Sequence, residues 1–422
     1  MQAYDCDLHI HGLYSGGVSK NMLLPEIARQ ARLKGLQIVA TGDVLNKEWL
    51  EHLKKNLVEE DGCFKEKEVE TYFIIGGEIN DADNVHHLFF LPDLASAEML
   101  RKKLAPFGKL DGIGFGRPSI SLHANELAEK IAECNGILGA AHAFTPYFSV
   151  YSHFDSLEKC YKEHLKEIGF IELGLSADSY FADLIAANHD VAFLTCSDAH
   201  SPWPYRLGRE FTRIEMRKPS FEELKKVLLK ERERIKLNVG LDPREGKYHC
   251  TACNRCYSKY SLENARKLNW RCPRCRGTIK KGVRDRILEL ANFADEVHPK
   301  FRPPYLHIIP LAEIIKLALD ARDINAEIVQ TSWYDLVNAF GSEIKVLVDV
   351  SIQEIAEFNE KIAGKIESFR QGYVLYIGGG GGKYGEPIIC SSADELELKR
   401  IEYKGSLECE STFKGQKTLG EF

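Results

Sequence analysis

The sequence predicts an α/β fold for the first 240 residues, followed by a small cysteine-rich module and a mainly helical C-terminal region. Over residues 4–240, short apolar runs alternate with amphipathic stretches, which is typical of a parallel sheet or barrel covered by helices. Five cysteines then fall within 26 residues, between Cys250 and Cys275. Residues 283–372 show the apolar spacing of helices. These three observations define the predicted organisation.

The elements of the α/β part follow one another in a regular order. The predicted strands are short apolar runs, namely Gln37–Thr41, Thr71–Gly76, His87–Leu91, Ile137–Ala141, Phe170–Leu173 and Ala192–Thr195. The predicted helices are amphipathic, namely Pro25–Lys34, Ala95–Lys103, Ala124–Glu133, Ser156–Glu167 and Ser220–Arg232. Further along, Leu311–Ala321 and Ile352–Ile366 predict helices, and Tyr373–Ile377 predicts a strand. A linker at Leu241–Gly246 leads to predicted domains at 1–240, 247–282 and 283–390, with a polar tail at 391–422.

The composition is that of an ordinary globular protein. The chain has 422 residues, 44% of them hydrophobic and 28% charged, and a formal net charge of −6. These values argue against a disordered chain, a collagen and a coiled coil. No apolar run approaches the roughly 20 residues of a membrane span, and the N-terminus lacks the apolar region of a signal peptide. We therefore expect a cytoplasmic protein with no membrane partner.

The clustered cysteines have the spacing of a zinc site. Cys253-x-x-Cys256 and Cys272-x-x-Cys275 are separated by fifteen residues, so two tight turns can direct four thiolates at one ion. Such a closed site has no open coordination position, and we expect one structural Zn²⁺. Cys250 offers a competing pair with Cys253. The seven scattered cysteines predict small buried hydrophobic residues in a reducing compartment, and they are Cys6, Cys63, Cys134, Cys160, Cys196, Cys390 and Cys409.

Residues that can bind metals follow the ends of the predicted strands. His9 and His11 share one face of a first strand, because side chains alternate along a strand. The other candidates are Asp43, Glu78, His86, His87, His142, Asp198 and His200. His86 and His87 are adjacent, so only one of them can point inward, and both are retained. Because strand ends of a barrel converge on one site, these residues predict a multi-metal centre.

The donor set indicates hydrolytic chemistry. Imidazoles and carboxylates suit Zn²⁺, Mn²⁺ or Fe²⁺, and Mg²⁺ alone less well. A multi-metal centre activates water near neutral pH and stabilises a leaving oxygen. Glu78 is the predicted bridge between metals, and Asp198 is predicted to bind metal and orient the water. These two residues are the catalytic candidates.

This pattern resembles the polymerase-and-histidinol-phosphatase (PHP) family of metal-dependent phosphoesterases over residues 4–240. The matching positions are His9 and His11 in the first motif, Glu78 as the bridging acid, His142 as the lone histidine, and Asp198 and His200 in the closing motif. The resemblance implies a distorted (β/α)7 barrel that holds two or three divalent metals, Zn, Mn, Fe or Mg.

Two positions depart from the PHP pattern. Thr41-Gly42-Asp43 stands where the family usually has Thr-Asp-His, so a carboxylate replaces a histidine ligand. Ser15-Gly16-Gly17 lacks the acidic residue that commonly follows the first motif. The resemblance therefore implies eight ligands rather than nine.

Two features of the C-terminal half predict nucleic-acid binding. From Arg266 to Arg286 there are nine Lys or Arg residues against the single acid Asp285, with aromatic residues nearby, and the phosphate-binding candidates are Arg274, Lys280, Lys281 and Arg284. The run Gly378–Gly382 precedes Lys383, and its amides could approach an anion, so Gly380, Gly381 and Lys383 are candidates as well. A solvated charged face and a flexible surface loop are the alternatives.

Over about residues 1–390 the chain resembles the endonuclease Q family of DNA-repair nucleases. The stretches that carry this resemblance include Asp7-Leu-His-Ile-His11, Ala141-His-Ala-Phe-Thr-Pro146, Ser197-Asp-Ala-His-Ser-Pro202 and the glycine run through Gly385. The resemblance implies a nick 5′ to deoxyuridine, hypoxanthine, xanthine or an abasic site, with 3′-hydroxyl and 5′-phosphate ends. The implied partners are double- or single-stranded DNA with damaged bases and replication or repair factors, at the nucleoid.

A damaged base costs less to unstack, which favours a pocket that binds a flipped nucleotide. Phe144, Tyr147 and Trp203 follow strand ends and are the candidates for stacking on that nucleotide, with core or rim packing as the alternative. Two other functions are retained: a histidinol-phosphatase-like small-molecule phosphatase and a non-catalytic nucleic-acid-binding protein.

Overall fold

The structure is a computed structural model, and it describes residues 1–404. In this range the strands are Gln2–Asp7 (β1), Ile38–Ala40 (β2), Leu57–Glu60 (β3), Cys63–Glu66 (β4), Tyr72–Asn80 (β5), His86–Leu91 (β6), Ile137–Ala140 (β7), Ile168–Glu172 (β8), Ala192–Leu194 (β9), Phe211–Met216 (β10), Ile235–Gly240 (β11), Ala252–Cys253 (β12), Ile279–Lys280 (β13), Tyr305–His307 (β14), Val374–Ile377 (β15) and Glu386–Ile389 (β16).

Most α-helices of the same range begin directly after a residue whose side chain caps the helix. They are Leu24–Lys34 (α1), Lys47–Asn56 (α2), Leu94–Leu104 (α3), Ala124–Ala132 (α4), Val150–His153 (α5), Leu157–Tyr161 (α6), Ser179–Ala182 (α7), Phe221–Leu229 (α8), Leu262–Lys267 (α9), Val283–Leu290 (α10), Leu311–Ala318 (α11), Glu327–Phe340 (α12), Glu343–Val348 (α13), Ile352–Phe358 (α14), Glu360–Arg370 (α15) and Ala393–Glu402 (α16). Within residues 1–404, no helix is both long and apolar enough to cross a membrane.

Twelve strands of the described range form one mixed sheet, in the order β14-β11-β10-β1-β2-β5-β6-β7-β8-β9, with β3 and β4 attached beside β5. The pairs β5–β6 and β6–β7 are antiparallel, as are β1–β10 and β10–β11. Within residues 1–404 no strand ladder joins β9 to β14. The segments after β1 and β9 are linked by a bridge between Ile10 and Ala199 and by a hydrogen bond from Ser19 N to His200 O, at 2.8 Å. The sheet is a curled half-barrel of mixed strand direction, and the predicted distorted (β/α)7 barrel stays a prediction.

The two faces of the sheet have different surroundings. Inner-face side chains, among them Leu8, Ile74, Phe90, Phe170 and Leu194, pack in one cluster with the apolar face of α8. Outer-face side chains, among them Val39, Phe73, Phe89 and Ile171, pack in a larger cluster with the surrounding helices. Because successive residues alternate between the faces, Glu78 of β5, His86 of β6 and Glu172 of β8 lie on the inner face with Ile74, Phe90 and Phe170.

The C-terminal helices pack against the half-barrel. Lys34 of α1 forms an ion pair with Glu343 of α13, with 2.7 Å between Nζ and Oε1, and both side chains are fully buried. The indole of Trp333 donates a hydrogen bond to the other oxygen of Glu343, at 2.7 Å. The strand β14 pairs in parallel with β11, so a segment from beyond the cysteine-rich module completes the sheet. The predicted boundary at residue 240 thus does not separate the sheet from the chain that follows.

Most predicted elements are present, and the differences have local causes. The predicted helix Ile352–Ile366 is two helices, because the side chain of Asn359 accepts hydrogen bonds from Lys361 N and Ile362 N and starts α15. Residues 391–404 are not a loose tail, since Ser392 caps α16 in the same way. The rest of the predicted tail, 405–422, lies outside the described residues, as does Cys409. The other six scattered cysteines are free and buried, as predicted.

Candidate active site

Two trios of metal-binding atoms lie side by side inside the half-barrel. His9, His11 and Asp198 form the first trio, and Glu78, His86 and His142 form the second. Within each trio the potential ligand atoms lie within 4.8 Å of one another. The six side chains come from the ends of β1, β5, β6, β7 and β9 or the residues just after them. The predicted convergence of strand ends on one centre is therefore present in the structure.

Glu78 links the two trios through its two carboxylate oxygens. Oε2 lies 3.3 Å from His11 Nε2 and 3.6 Å from His9 Nε2, on the side of the first trio. Oε1 lies 2.8 Å from His86 Nδ1 and 3.1 Å from His142 Nε2, on the side of the second. This is the arrangement that a carboxylate bridging two ions requires, and it agrees with the role predicted for Glu78.

Two carboxylates contact His9 and His11 at Nδ1, on the opposite side of each ring from the Nε2 atom that faces the trio. Glu172 Oε2 lies 2.9 Å from His9 Nδ1 and also accepts a hydrogen bond from the amide of His142, at 2.8 Å. Asp43 Oδ1 lies 3.0 Å from His11 Nδ1, and Asp43 Oδ2 accepts from the amide of Gly12. Each carboxylate therefore fixes a ring with its Nε2 toward the trio, as outer partners of metal-bound histidines do.

The polar atoms at the centre fit a bound cation. Five buried atoms there have no hydrogen-bond partner among residues 1–404, and they are His9 Nε2, His11 Nε2, His142 Nδ1, Glu172 Oε1 and Asp198 Oδ1. Buried polar atoms are rarely left without a partner, because each costs about 1–3 kcal/mol. Three of the five belong to the first trio, which supports a divalent ion as their partner.

The charges of the centre are strongly coupled. Burial lowers the pKa of His9, but the facing carboxylates of Glu172, Asp198 and Glu78 raise it well above its ordinary value. Burial raises the pKa of Glu78, but the surrounding histidines and Arg117 hold it well below its usual range. Arg117, which the sequence analysis missed, approaches Glu78 Oε2 to 3.1 Å with its guanidinium. The carboxylate of Glu78 is thus held in the charged form that a cation needs.

Three predicted metal ligands, His87, Asp43 and His200, lie outside the trios. The ring of His87 points to the outer face, where its Nε2 lies 3.0 Å from Asp81 and its Nδ1 lies 2.9 Å from the Tyr161 hydroxyl. His86, two residues before Leu88 on the inner face, is the histidine that joins the centre. Asp43 contacts His11 from behind and is not part of either trio.

His200 occupies an intermediate position. Its ring centroid lies 4.5 Å from that of His11, and its Nδ1 lies 3.0 Å from the carbonyl oxygen of Asp198. It is not in either trio, but it lines the cavity above them.

A cavity of about 750 Å³ opens above the two trios, within the range of about 300–1,000 Å³ for small-molecule sites. Asp198 forms part of its floor, and the Asp198 side chain is 33% exposed. Four cations line the wall: Arg117, Arg206, Arg209 and Lys247. The cavity therefore combines a metal-binding floor with walls that suit a phosphate-containing ligand.

The four predicted zinc ligands also converge. The sulfurs of Cys253, Cys256, Cys272 and Cys275 lie within 4.8 Å of one another, next to the two-residue ladder of β12 and β13. Cys250 is not in this group, and instead it bridges to Gly380 through its backbone. The first knuckle is thus Cys253 with Cys256, as the sequence analysis preferred.

Sequence comparisons identify relatives over most of the chain. A family model described as the MJ0043 C-terminal domain matches residues 310–373. The uncharacterized protein MJ0043 of Methanocaldococcus jannaschii is 45% identical over 272 residues, which are 63% of this chain and 34% of that protein, so the match spans about a third of that relative. The uncharacterized protein YqxK of Bacillus subtilis is 29% identical over 411 residues, or 92% of this chain and 99% of that protein.

Solved structures decide the family. The crystal structure of the lesion-specific endonuclease PfuEndoQ from Pyrococcus furiosus is 45% identical, covers 97% of this chain and 100% of its own, and superposes with a TM-score of 0.86. Endonuclease Q in complex with a 27-mer duplex substrate that has an abasic lesion at the active site is 46% identical, with coverage of 94% and 98% and a TM-score of 0.87. This chain belongs to the endonuclease Q family.

The aromatic residues at the cavity of this endonuclease Q family member differ from those predicted. Phe144 is buried in the core and stacks on Tyr151, with 5.0 Å between ring centroids, so it cannot contact a nucleotide. Trp203 is half-buried and does not line the cavity. The aromatic residues that line it are Phe148, Tyr248 and Tyr384, which the sequence analysis missed, and Tyr147 lies against Tyr248.

The glycine run has a packing role. The amides of Gly379, Gly380 and Gly382 donate to carbonyl oxygens of Arg244, Lys383 and Lys247, so they are not available to an anion. A Cβ atom at Gly381 would lie 2.3 Å from the carbonyl oxygen of Cys253, and Gly381 has a φ of +66°. The amide of Gly380, one of the two predicted at an anion cradle, is therefore used within the loop itself. The glycines let this loop pack closely on the cysteine module.

The predicted basic residues are only partly free to bind phosphate. Lys281 pairs with Glu289 at 2.6 Å, Arg284 Nη1 lies 3.7 Å from Asp285, and Lys383 pairs with Glu386 at 3.1 Å. Arg274 is exposed. A different group of arginines lines one shallow cleft of the cysteine module, namely Arg255, Arg271 and Arg276. Within residues 1–404 neither Arg271 nor Arg276 forms an ion pair.

Proposed function

We propose that this chain is a metal-dependent, lesion-specific DNA endonuclease. The observation that carries the proposal is Glu78, which presents one oxygen to each of two ligand trios at the floor of a cavity lined by cations. The two endonuclease Q structures support it, since one is of a lesion-specific enzyme and the other holds an abasic duplex at its active site.

We infer that His9, His11, Asp198 and Glu78 hold one divalent ion, and that Glu78, His86 and His142 hold a second. His200 completes the centre from the cavity side and is the candidate for a third. These nitrogen and oxygen donors suit Zn²⁺, Mn²⁺ or Fe²⁺, with Mg²⁺ as a weaker candidate. When bound, such ions supply Lewis acidity to the phosphate and lower the pKa of water. The four cysteine thiolates hold one structural Zn²⁺.

The chain's own residues then set the geometry of hydrolysis. Arg117 lies beside Glu78 at the cavity wall, where its guanidinium neutralises charge on the scissile phosphate. Asp198 keeps Oδ1 buried toward His9 and His11, and the exposed part of its carboxylate accepts a hydrogen bond from the attacking water. Water adds to phosphorus and the P–O3′ bond breaks, which leaves a 3′-hydroxyl and a 5′-phosphate.

The proposed substrates are duplexes or single strands with deoxyuridine, hypoxanthine, xanthine or an abasic site, cut 5′ to the lesion. Deamination or base loss weakens pairing and stacking, so the damaged nucleotide enters a cavity at a lower cost than a normal one. A cytoplasmic location at the nucleoid and contacts with replication or repair factors remain predictions from the sequence.

A nicking assay tests the proposal. Labelled duplexes with one deoxyuridine, one inosine or one abasic site are incubated with protein and Mn²⁺ or Mg²⁺, beside an undamaged duplex. We expect a nick 5′ to each lesion, no nick in the undamaged duplex, and none with Asp198→Ala or with a chelator. Hydrolysis of histidinol phosphate without nicking would instead support the small-molecule phosphatase, and lesion binding without nicking would support the non-catalytic protein.

A further inference from the structure

Five side chains form a line of rings and cations at the cavity mouth, in the order Lys280, Tyr147, Tyr248, Lys247 and Tyr384. Lys280 Nζ lies 4.6 Å from the ring centroid of Tyr147, and that ring lies 5.7 Å from the ring of Tyr248. Lys247 Nζ lies 5.4 Å from the ring of Tyr248 and 5.9 Å from the ring of Tyr384. We call these five residues the ring–cation strip. Tyr248, Lys247 and Tyr384 also line the cavity.

Four separate segments of the chain build the strip. Tyr147 follows β7 in the half-barrel, Lys247 and Tyr248 precede the cysteine module, Lys280 lies in β13, and Tyr384 follows the glycine run. Backbone hydrogen bonds join the last three of these segments, from Gly382 N to Lys247 O at 2.9 Å and from Val283 N to Tyr248 O at 2.8 Å, and the ring of Tyr147 packs against Tyr248. The strip is thus organised before any ligand binds, which reduces the entropy cost of binding.

The strip has exposed tyrosine rings and lysine charges that can interact with a ligand. Tyr147 is 40% exposed and Tyr384 is 45% exposed, so both rings offer surface to a ligand. Neither Lys247 nor Lys280 has an acidic partner within residues 1–404. Tyr147 has a φ of +98°, a strained conformation for a residue with a side chain, and such strain concentrates at functional sites.

We propose that the ring–cation strip binds the unpaired nucleotides of the substrate strand beside the lesion, with bases stacked on its tyrosines and phosphates paired with its lysines. This inference rests on the proposed function. Aromatic side chains combined with basic ones are the means by which proteins bind single strands without reading sequence. In an intact duplex each base is covered by its neighbours, so the tyrosines find no free base face. A lesion exposes adjacent bases, and the strip then adds affinity only where the duplex is damaged.

The test compares the affinity of variants for three DNAs of one sequence: an abasic duplex, the undamaged duplex and the single strand. Fluorescence anisotropy is measured with Ca²⁺ in place of the activating metal. We expect Tyr384→Ala and Tyr147→Ala each to weaken binding of the abasic duplex and the single strand about tenfold, the loss expected for one stacked base. Binding of the undamaged duplex should change less than about twofold, and Tyr384→Phe should bind like the wild type.

Tyr403→Ala is the matched control, because Lys399 lies 5.8 Å from the Tyr403 ring in α16, and neither residue lines the cavity. The proposed role of the strip is contradicted if affinity falls equally for all three DNAs, or for none of them, in variants whose melting temperatures match the wild type. Failure of the proposed function is a separate result: wild-type protein with metal then nicks no lesion duplex. Wild-type nicking together with normal single-strand binding by Tyr384→Ala contradicts the strip alone.

Discussion

The half-barrel centre and the cysteine cluster both gather metal-binding atoms, but the chain supports them in different ways. The centre is fixed from behind by Glu172 and Asp43, and it lies on strands whose two faces are covered by large apolar clusters. The cysteine cluster has a buried core of four residues, and two of these, Cys253 and Cys272, are themselves proposed zinc ligands. The remaining core residues are Ala265 and Ile279.

This difference indicates that the two sites depend on metal in opposite ways. A half-barrel that positions its histidines by protein hydrogen bonds keeps its shape without ions, and the ions add chemistry. We propose that the cysteine module, which has almost no core of its own, obtains its folding free energy from a bound ion. Metal removal is therefore expected to abolish activity at the first site and folding at the second.

The largest expected effect comes from Glu78→Gln, which keeps the size of the side chain but removes the charge shared by both trios. We expect the nicking rate to fall at least about a thousandfold, because two ions lose their common ligand. The melting temperature should change little, since the half-barrel core is untouched. Metal content is measured by mass spectrometry alongside the rate. Nicking by this variant at the wild-type rate would show that Glu78 is not part of the catalytic centre.

The double change Cys253→Ser with Cys272→Ser addresses the other side of the comparison. We expect loss of one zinc per chain, proteolysis within residues 247–282, and DNA affinity lower by about tenfold or more because the basic residues of the module lose their positions. The half-barrel should keep its own metals and its melting transition. Cys250→Ser is the matched control, since that sulfur lies outside the cluster. Unchanged zinc content in the double variant would refute the four-cysteine site.

The change Asp43→Asn distinguishes a ligand from a residue that orients one. Asp43 contacts His11 Nδ1, on the side of the ring away from the other ligand atoms of the trio. We therefore expect activity and metal affinity to fall about 10–100-fold, the usual cost of losing such a partner. Glu172→Gln should behave alike, because it holds His9 in the same manner. If Asp43→Asn instead matches Glu78→Gln in activity and metal content, Asp43 is a direct ligand, as the sequence predicted.

The smallest effect is expected at the arginine cleft of the cysteine module. Arg271→Gln with Arg276→Gln should weaken binding of damaged and undamaged duplexes equally and reduce the slope of log affinity against log salt by about 2. Lys361→Gln, an exposed lysine of α15, is the control. A loss confined to damaged duplexes would show that these arginines contribute to lesion recognition.

Strand ends and cysteine spacing could be read from the sequence because both are local patterns. His86 and His87 could not be separated, since β6 is apolar on both faces and shows no alternation. Glu172 was missed because it closes an apolar strand without a polar neighbour. Its signal was a carboxylate inside a buried strand, which needs a partner.

The aromatic residues that line the cavity were not identified from the sequence, for a different reason. The loop from His142 to Tyr147 has positive φ angles at both of these residues, 28° and 98°, so strand alternation does not continue into it. As a result Phe144 turns into the core and Phe148 faces the cavity. Tyr384 comes from a segment more than 170 residues after the half-barrel loop at 206–209, and only the tertiary fold brings it there.

The pairing of β14 with β11 has a consequence for synthesis on the ribosome. The half-barrel sheet gains its last strand only when residues 305–307 have emerged, after the whole cysteine module has been made. The N-terminal part must therefore wait with an open sheet edge at β11 while about 60 further residues are translated, for several seconds at about 5–20 residues per second. An exposed strand edge is prone to wrong pairing. The nascent chain is thus most vulnerable to misassembly between residues 240 and 305.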